Sequence, residues 1–519
     1  MDLLKKKIHI EQMLSEAENQ TTLSEDVNLP ENKPDIAEIK LEKGEIVFEE
    51  IVPTQDRIDI RGYLAFEILY YTKEQGGRLV CFQGKAPLDE QLYMQGISEK
   101  DSVELKGNPE DLSIHMIHSR KLNVSAVINL HASVRKTEEI EAPMGLTQKE
   151  ENENLQYRQI PCEFAVLTMA QKDMVKIKQE VTIPSNYPNI DEILWSNICL
   201  GEIEQKPSDG KLHLQGEVLL FVLYAAEDEE KSVHAFETLI PFSENVECKN
   251  CDSEIIPDVS LELVQKELAV RPDGDGEQRI VAIELDTKAD IRLYKEETTD
   301  LLTDIYSVNS DIETKKTKVT LKKSMRRLGG KTKVTDYIKI HKEASVLQIL
   351  HSEAQMLPPE MTLSEHGIIL EGSVLVKVLY VSTEDEMPFG VYETQIPYSY
   401  TLEVRDVSQD CLQNLIAKIE QKQVAVADGD ELEIKLVLGF AMTAFMKEEA
   451  EFIQEINENK ADREKLLQMP GMIIYVVKPG DNLWSIGKKY YVTVDSIKEN
   501  NDLSREDIYP GQKLLIMRV

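Results

Sequence analysis

No run of about 18 uninterrupted apolar residues occurs in this 519-residue chain, which excludes a membrane-spanning helix. Lys5, Lys6 and Lys7 stand near the start, but the apolar stretch of a signal peptide does not follow them. Six cysteines are too few for a disulfide framework, so the expectation is a reduced, cytoplasmic, globular protein. Positive charge is also short. The 59 basic residues face 94 acidic ones, and a net charge of −35 repels phosphate backbones and anionic lipid. Nucleic acid and membrane insertion are therefore set aside.

Catalytic and metal-binding patterns are equally scarce. Cys248-Lys-Asn-Cys251 has metal-type spacing, but no second pair of cysteines or histidines follows to complete four ligands, and it reads as a loop thiol pair. His115 and His118 lie three apart in a strand-like run and face opposite sides. The stretch from Leu328 to Lys333, LGGKTK, mimics a phosphate loop, but Met325 stands where its first glycine should be. No Gly-x-Ser-x-Gly and no singled-out pair of carboxylates appears. The chain reads as a non-enzyme with no catalytic residues, cofactor or metal.

What is present is repetition. RGYLAFEILYYTKE from Arg61, QGEVLLFVLYAAED from Gln215 and EGSVLVKVLYVSTED from Glu371 align, with Gly62, Gly216 and Gly372 and then Tyr70, Tyr224 and Tyr380 offset by 154 and 156 residues. Upstream, Pro30, Pro34 and Ile39 match Pro184, Pro188 and Ile193; the third copy keeps Ile349 and loses both prolines. Downstream, Ile240-Pro-Phe and Ile396-Pro-Tyr match, and the first copy has Lys85-Ala86-Pro87 in that region. The runs are rich in β-branched and aromatic residues, with partial alternation and turn clusters such as RPDGDGEQ between them.

The fold class predicted is mainly β: three tandem β-rich, sandwich-like domains and a small α+β module of order βααβ. The expected boundaries are an N-terminal amphipathic segment at 1–24 and repeats at 25–150, 151–313 and 334–447. A basic linker at 314–333, a charged helical linker at 448–472 and a terminal module at 473–519 complete the division.

The lead-in prolines, the glycine-initiated strand ending in Leu-Tyr and the Ile-Pro-aromatic that follows resemble the SPOCS domain of spore coat morphogenetic proteins. No catalysis is implied by that family. In the terminal module, Tyr475 to Val477 predict a strand and Pro479-Gly480 a turn. Asp481 is the expected cap of a first helix, a second runs from Asp495 to Asn500 with Asn500 or Asn501 ending it, and Lys513 to Met517 return as a strand. Tyr475, Val477, Gly480, Asp481, Leu483, Ile486, Val492, Ile497, Asn500, Leu503, Ile508, Gly511, Gln512, Leu514 and Ile516 give this module a pattern that resembles the LysM domain. Tyr491 departs from it, standing where that family often has glycine, which predicts a strained or rearranged turn there.

LysM domains bind N-acetylglucosamine polymers in a shallow groove. Carried over, the groove is Gly480, Asp481, Asn482, Leu483 and Trp484 with Asn500, Asn501 and Leu503. Trp484, one of two tryptophans, is either a core residue or an exposed anchor. Residues 475–519 carry a net +1, against −36 for the rest. The whole layout resembles the SipL-like coat morphogenetic family. That resemblance implies a mother-cell protein recruited to the forespore surface, whose LysM module binds the coat basement-layer ATPase; other coat proteins are further candidate partners. The alternative is a wall or cortex protein whose module holds peptidoglycan.

Overall fold

The computed structural model describes residues 3–518 apart from 75, 147–153, 202, 250, 341–344, 365–366, 384–387, 404–411, 429–430 and 461–469. At 10–13, 138, 322–327, 412–414, 428, 443–448 and 460 it describes the backbone alone.

The first repeat comprises β1 (Leu3–Asn28), β2 (Ile36–Thr54), β3 (Arg57–Thr72), β4 (Leu79–Tyr93), β5 (Val103–His118) and β6 (Lys121–Leu146). The second comprises β7 (Leu155–Thr182), β8 (Ile190–Leu200), β9 (Glu204–Ser208), β10 (Lys211–Ala226), β11 (Val233–Glu247), β12 (Ile256–Pro272) and β13 (Gln278–Ser307). The third comprises β14 (Ser310–Lys339), β15 (Val346–Met356), β16 (Glu360–Ser364), β17 (Gly367–Ser382), β18 (Phe389–Glu403), β19 (Leu412–Asp428) and β20 (Glu431–Lys460). All strand pairs are antiparallel, and each repeat is a sandwich of two sheets, β2-β3-β4 over β1-β6-β5 in the first. Alternate residues of β3 (Ile58, Ile60, Leu64, Phe66, Ile68, Tyr70) meet alternate residues of β6 (Leu122, Val124, Ala126, Ile128, Leu130) in one core.

The repeated motif residues hold the lead-in loop. Tyr70 Oη donates to the Pro34 carbonyl and Tyr224 Oη to the Pro188 carbonyl, both at 3.0 Å. Arg120 donates to the Pro30 and Lys33 carbonyls, and Arg279 does the same for Pro184 and Tyr187. The Ile-Pro-aromatic prolines sit on β11 and β18, edge strands that tolerate a missing N–H. Pairing corrects the reading of the first copy. Pro87 faces Tyr63 as Pro241 faces Glu217 and Pro397 faces Ser373, so the equivalent triplet is Ala86-Pro87-Leu88, not Lys85-Ala86-Pro87. The departure reduces to Ala for Ile and Leu for an aromatic. That aromatic covers the motif glycine across the ladder: a Cβ on Gly372 would lie 2.8 Å from Tyr398 Oη.

The end of each motif strand is buried on both faces, which is why its alternation is only partial. The second face meets the other two repeats. Leu41, Trp195 and His351 each pair with the leucine before the motif tyrosine (Leu69, Leu223, Leu379), each beside a register shift of the same kind. Five of these residues share one buried cluster, to which all three repeats contribute, and the sixth, His351, stacks on its Phe221. The ring closes in cyclic order: Lys43 donates to the Ser196 carbonyl at 2.6 Å, Trp195 Nε1 donates to Glu353 Oε1 at 3.1 Å, and Lys377 lies 3.9 Å from Glu42.

Beyond the sandwiches the pairs β1/β6, β7/β13 and β14/β20 continue as three ribbons. Ile8, Ala142, Cys162, Phe164, Leu301, Leu321 and Phe452 pack between them, so the ribbons form a triangular prism. At its far end Leu3, Leu146, Leu155, Leu302, Ile305, Ile312, Ile453 and Ile456 make a second cluster.

This prism corrects two expected linkers. Residues 314–333 lie within β14, and 448–460 within β20, where a helix was expected. They are the two strands of one ribbon: Lys315 faces Glu455, and Lys318 faces Glu451. Opposite charges across the ladder, with Leu321, Phe452 and Ile453 turned inward, make strand the favourable state. Residues 461–469 of the second segment lie outside the described residues. Residues 3–24 of the expected N-terminal segment are likewise part of β1, paired to β6. The cysteines also differ from expectation: Cys248 and Cys251 form a disulfide, and both are buried. The phosphate-loop mimic at Leu328 to Lys333 is plain strand.

Candidate functional site

The terminal module has β21 (Met472–Val476) paired with β22 (Lys513–Met517), and between them α1 (Leu483–Tyr490) and α2 (Val494–Asn500). Tyr475, Val477, Leu483, Ile486, Val492, Ile497, Leu514 and Ile516 form its core. α1 starts at Asn482, not Asp481. Asn482 Oδ1 accepts from the Ser485 N–H at 2.8 Å, and Ser485 Oγ accepts in return from the Asn482 N–H, a reciprocal cap. Asp481 serves the preceding turn instead, accepting from Tyr475 Oη at 2.6 Å and from the Lys478 N–H at 2.7 Å. The Tyr475 hydroxyl holds the Asp481 carboxyl below its usual range, and that carboxylate pushes the Tyr475 phenol up to about 12. Gly480 takes φ 89°, a left-handed turn that suits glycine.

The other expected groove residues have mixed placements. Leu483 is 1% exposed, a core residue. Asn501 ends α2 with φ −121°, so no left-handed asparagine is involved; the left-handed residue is Asp502. The Asn501 amide donates to the Ile497 and Leu515 carbonyls and accepts from the Leu515 N–H, stapling α2 to β22. Asn500 bonds Ser496, and Leu503 packs on the core. Gly480, Asn482 and Asp502 face solvent.

Trp484 is neither a core residue of its module nor an exposed anchor. Its Nε1 donates to Asp304 Oδ2 at 2.8 Å, and its ring meets Tyr306 edge-on, 4.8 Å between centroids. Both partners lie near the end of β13, at the tip of the prism. Lys488 Nζ donates to Asp304 Oδ1 at 2.5 Å, and Tyr491 Oη donates to Asp311 Oδ1 at 2.6 Å. Tyr306 Oη donates to the Val492 carbonyl at 2.9 Å. Gly487 makes room for that bond: a Cβ there would lie 2.6 Å from Tyr306 Oη. Tyr491 takes φ 55°, the strained turn expected from its replacement of glycine, and its side chain is used at the seat. Half-burial would raise the Asp304 carboxyl, but the Lys488 ammonium and the Trp484 N–H hold it below its usual range. Burial pushes the Tyr306 phenol up. Sequence reasoning missed Asp304, Tyr306, Asp311, Gly487 and Lys488, since their pairing spans about 180 residues and has no local signal.

A different face stays open. Met472, Ile474 and Val476 are 62%, 70% and 49% exposed on the outward side of β21, opposite Met517, Leu515 and Lys513. Among the described residues there is no group of three or more metal-ligating side chains and no helix long and apolar enough to cross a membrane.

The fold and module define a multi-domain binding protein. Residues 475–516 match the LysM domain, and residues 35–117, 189–270 and 345–427 match the SipL, SPOCS domain. The chain is a SipL-like sporulation protein, with three SPOCS segments followed by LysM. It is 51% identical over 45 residues to the putative sporulation-specific glycosylase YdhD of Bacillus subtilis. It is 43% identical over 42 residues to the probable autolysin SsaALP of Staphylococcus aureus, and 42% identical over 43 residues to the uncharacterized protein YkzQ of Bacillus subtilis. These matches cover 9%, 8% and 8% of this chain, and 11%, 16% and 57% of those relatives. No solved structure matches the chain.

Proposed function

We propose that this protein is a non-enzymatic scaffold of the spore coat, recruited from the mother-cell cytoplasm to the forespore surface. Its LysM module holds the coat basement-layer ATPase, the partner implied by its likeness to SipL-like proteins; other coat proteins are further partners. The observation that carries this reading is the open aliphatic face of β21, where Met472, Ile474 and Val476 stand in solvent. Aliphatic rows of this kind suit a protein surface better than a sugar chain, which is bound through polar groups and aromatic faces. The Trp484 face of α1 is a second partner surface, because Trp484, Lys488 and Tyr491 are large side chains on one side of the helix and its end.

The second reading, peptidoglycan held in the groove, draws on the exposed loop residues Gly480, Asn482 and Asp502 and on Tyr509, 66% exposed. The experiment is capture from sporulating-cell extract with the intact chain and with a chain ending at Gln468. Capture of one abundant ATPase by the intact chain alone supports the scaffold. Sedimentation of the intact chain with purified peptidoglycan, with no ATPase captured, overturns it.

A further inference from the structure

We infer that the tip of the prism is an internal binding site for α1, and that seating there and capture of a partner by the Trp484 face are alternatives. The inference rests on the proposed role of Trp484 and adds a condition to it: the module must leave its seat before that side chain can reach another protein.

The seat is built for α1. Trp484 and Lys488 stand at i and i+4 on one face of α1, and Tyr491, in the turn just past its end, adds a third contact on the same side. Each meets its own receptor group: Asp304 and Tyr306 for Trp484, Asp304 for Lys488, Asp311 for Tyr491. Gly487 lets Tyr306 pass to the Val492 carbonyl, so shape and polarity match together. The contact is nevertheless polar. Among the described residues it includes an aromatic edge contact, an ion pair and hydrogen bonds, and the module keeps a core of its own. Interfaces of this kind within a chain behave like transient protein contacts. Gly480, Asn482 and the outer face of β21 are exposed while α1 is seated, so sugar-type and aliphatic contacts remain available in both positions. Only the α1 face is withdrawn.

The experiment uses the full chain with Asp304→Asn and Tyr306→Phe together, Trp484→Ala alone, and purified coat ATPase as the probe. Trp195 is fully buried, so acrylamide quenching of tryptophan emission reads Trp484. The double variant is expected to raise that quenching and to tighten ATPase binding by at least about fivefold. Trp484→Ala is expected to weaken binding at least about fivefold with the far-UV spectrum unchanged, the β21 face supplying what remains. Quenching that stays at the wild-type level overturns the inference. So does raised quenching with binding unchanged or weaker; in that case weakened binding by Trp484→Ala leaves the partner role of Trp484 standing. Wild-type binding by Trp484→Ala overturns that role and the inference with it.

Discussion

Trp195 Nε1 donates to Glu353 Oε1 at 3.1 Å, and this bond joins the second repeat to the third at the middle of the ring. Lys43 of the first repeat lies over the same indole, 4.1 Å from its centroid. One side chain therefore touches all three repeats. Trp195→Phe keeps most of the packing and removes one donor from a largely buried carboxylate, its side chain 20% exposed. The expected loss is about 1.5–3 kcal/mol, read by urea unfolding of the whole chain. A change smaller than the scatter between repeat titrations would mean that Glu353 is satisfied without Trp195.

The ring centre is also sensitive to acid. His351 is stacked on Phe221, 3.8 Å between centroids, and its Nε2 lies 3.3 Å from Glu353 Oε1, although neither ring nitrogen makes a sound hydrogen bond. Burial lowers the His351 pKa from 6.5, more strongly than Glu353 raises it; Lys422 lowers it further and Glu237 raises it. The unfolded chain thus takes up this proton first, and stability falls as pH drops below about 6.5. Burial would raise Glu353, but His351, Trp195 and Lys43 hold its pKa below 4.5, so a second loss in the same direction begins below about that value. His351→Leu, which copies the equivalent Leu41, is expected to flatten the melting-temperature profile between pH 7 and 5. An unaltered slope would assign that titration to other groups.

The prism ribbon β14/β20 is held partly by charge. Lys318→Glu would set two acidic side chains opposite one another at Glu451. At this exposed pair the expected cost is about 0.2–1 kcal/mol at low salt, shrinking toward zero at about 1 M, where charges are screened beyond about 3 Å. Melting curves at the two salt concentrations test this; an effect independent of salt would point to packing instead.

Asn501 lies in the expected groove, yet its amide satisfies three backbone groups. Asn501→Ala should destabilise the module by about 1–3 kcal/mol and lower its thermal transition. At temperatures where the module stays folded, ligand binding should be unchanged. Lost binding in a folded module would restore Asn501 as a contact residue.

Much of the β architecture was legible because the motif residues Gly, Tyr and Pro answer to local rules of turn and strand. The LysM module was legible for the same reason, its whole order of elements being encoded within 45 residues. The ribbons were not. Lys315 and Lys318 look like a solvated linker until Glu455 and Glu451 are placed across from them, and nothing in either segment announces the other. Only one face of a prism ribbon is apolar, so its hydrophobic signal is thin. Trp484 could not be assigned between core and anchor because its partner, Asp304, lies in another domain. The capping role moved from Asp481 to Asn482 for a nearer reason: Tyr475 had already claimed the aspartate.

At the axis of the ring the three copies no longer carry the same residue. Leu41, Trp195 and His351 occupy one position, and Lys43, Asn197 and Glu353 the next residue but one. Each copy therefore fits only one seat and recognises its neighbours by identity rather than by likeness. A chain with two of its repeats exchanged would contain every domain intact and still fail to close.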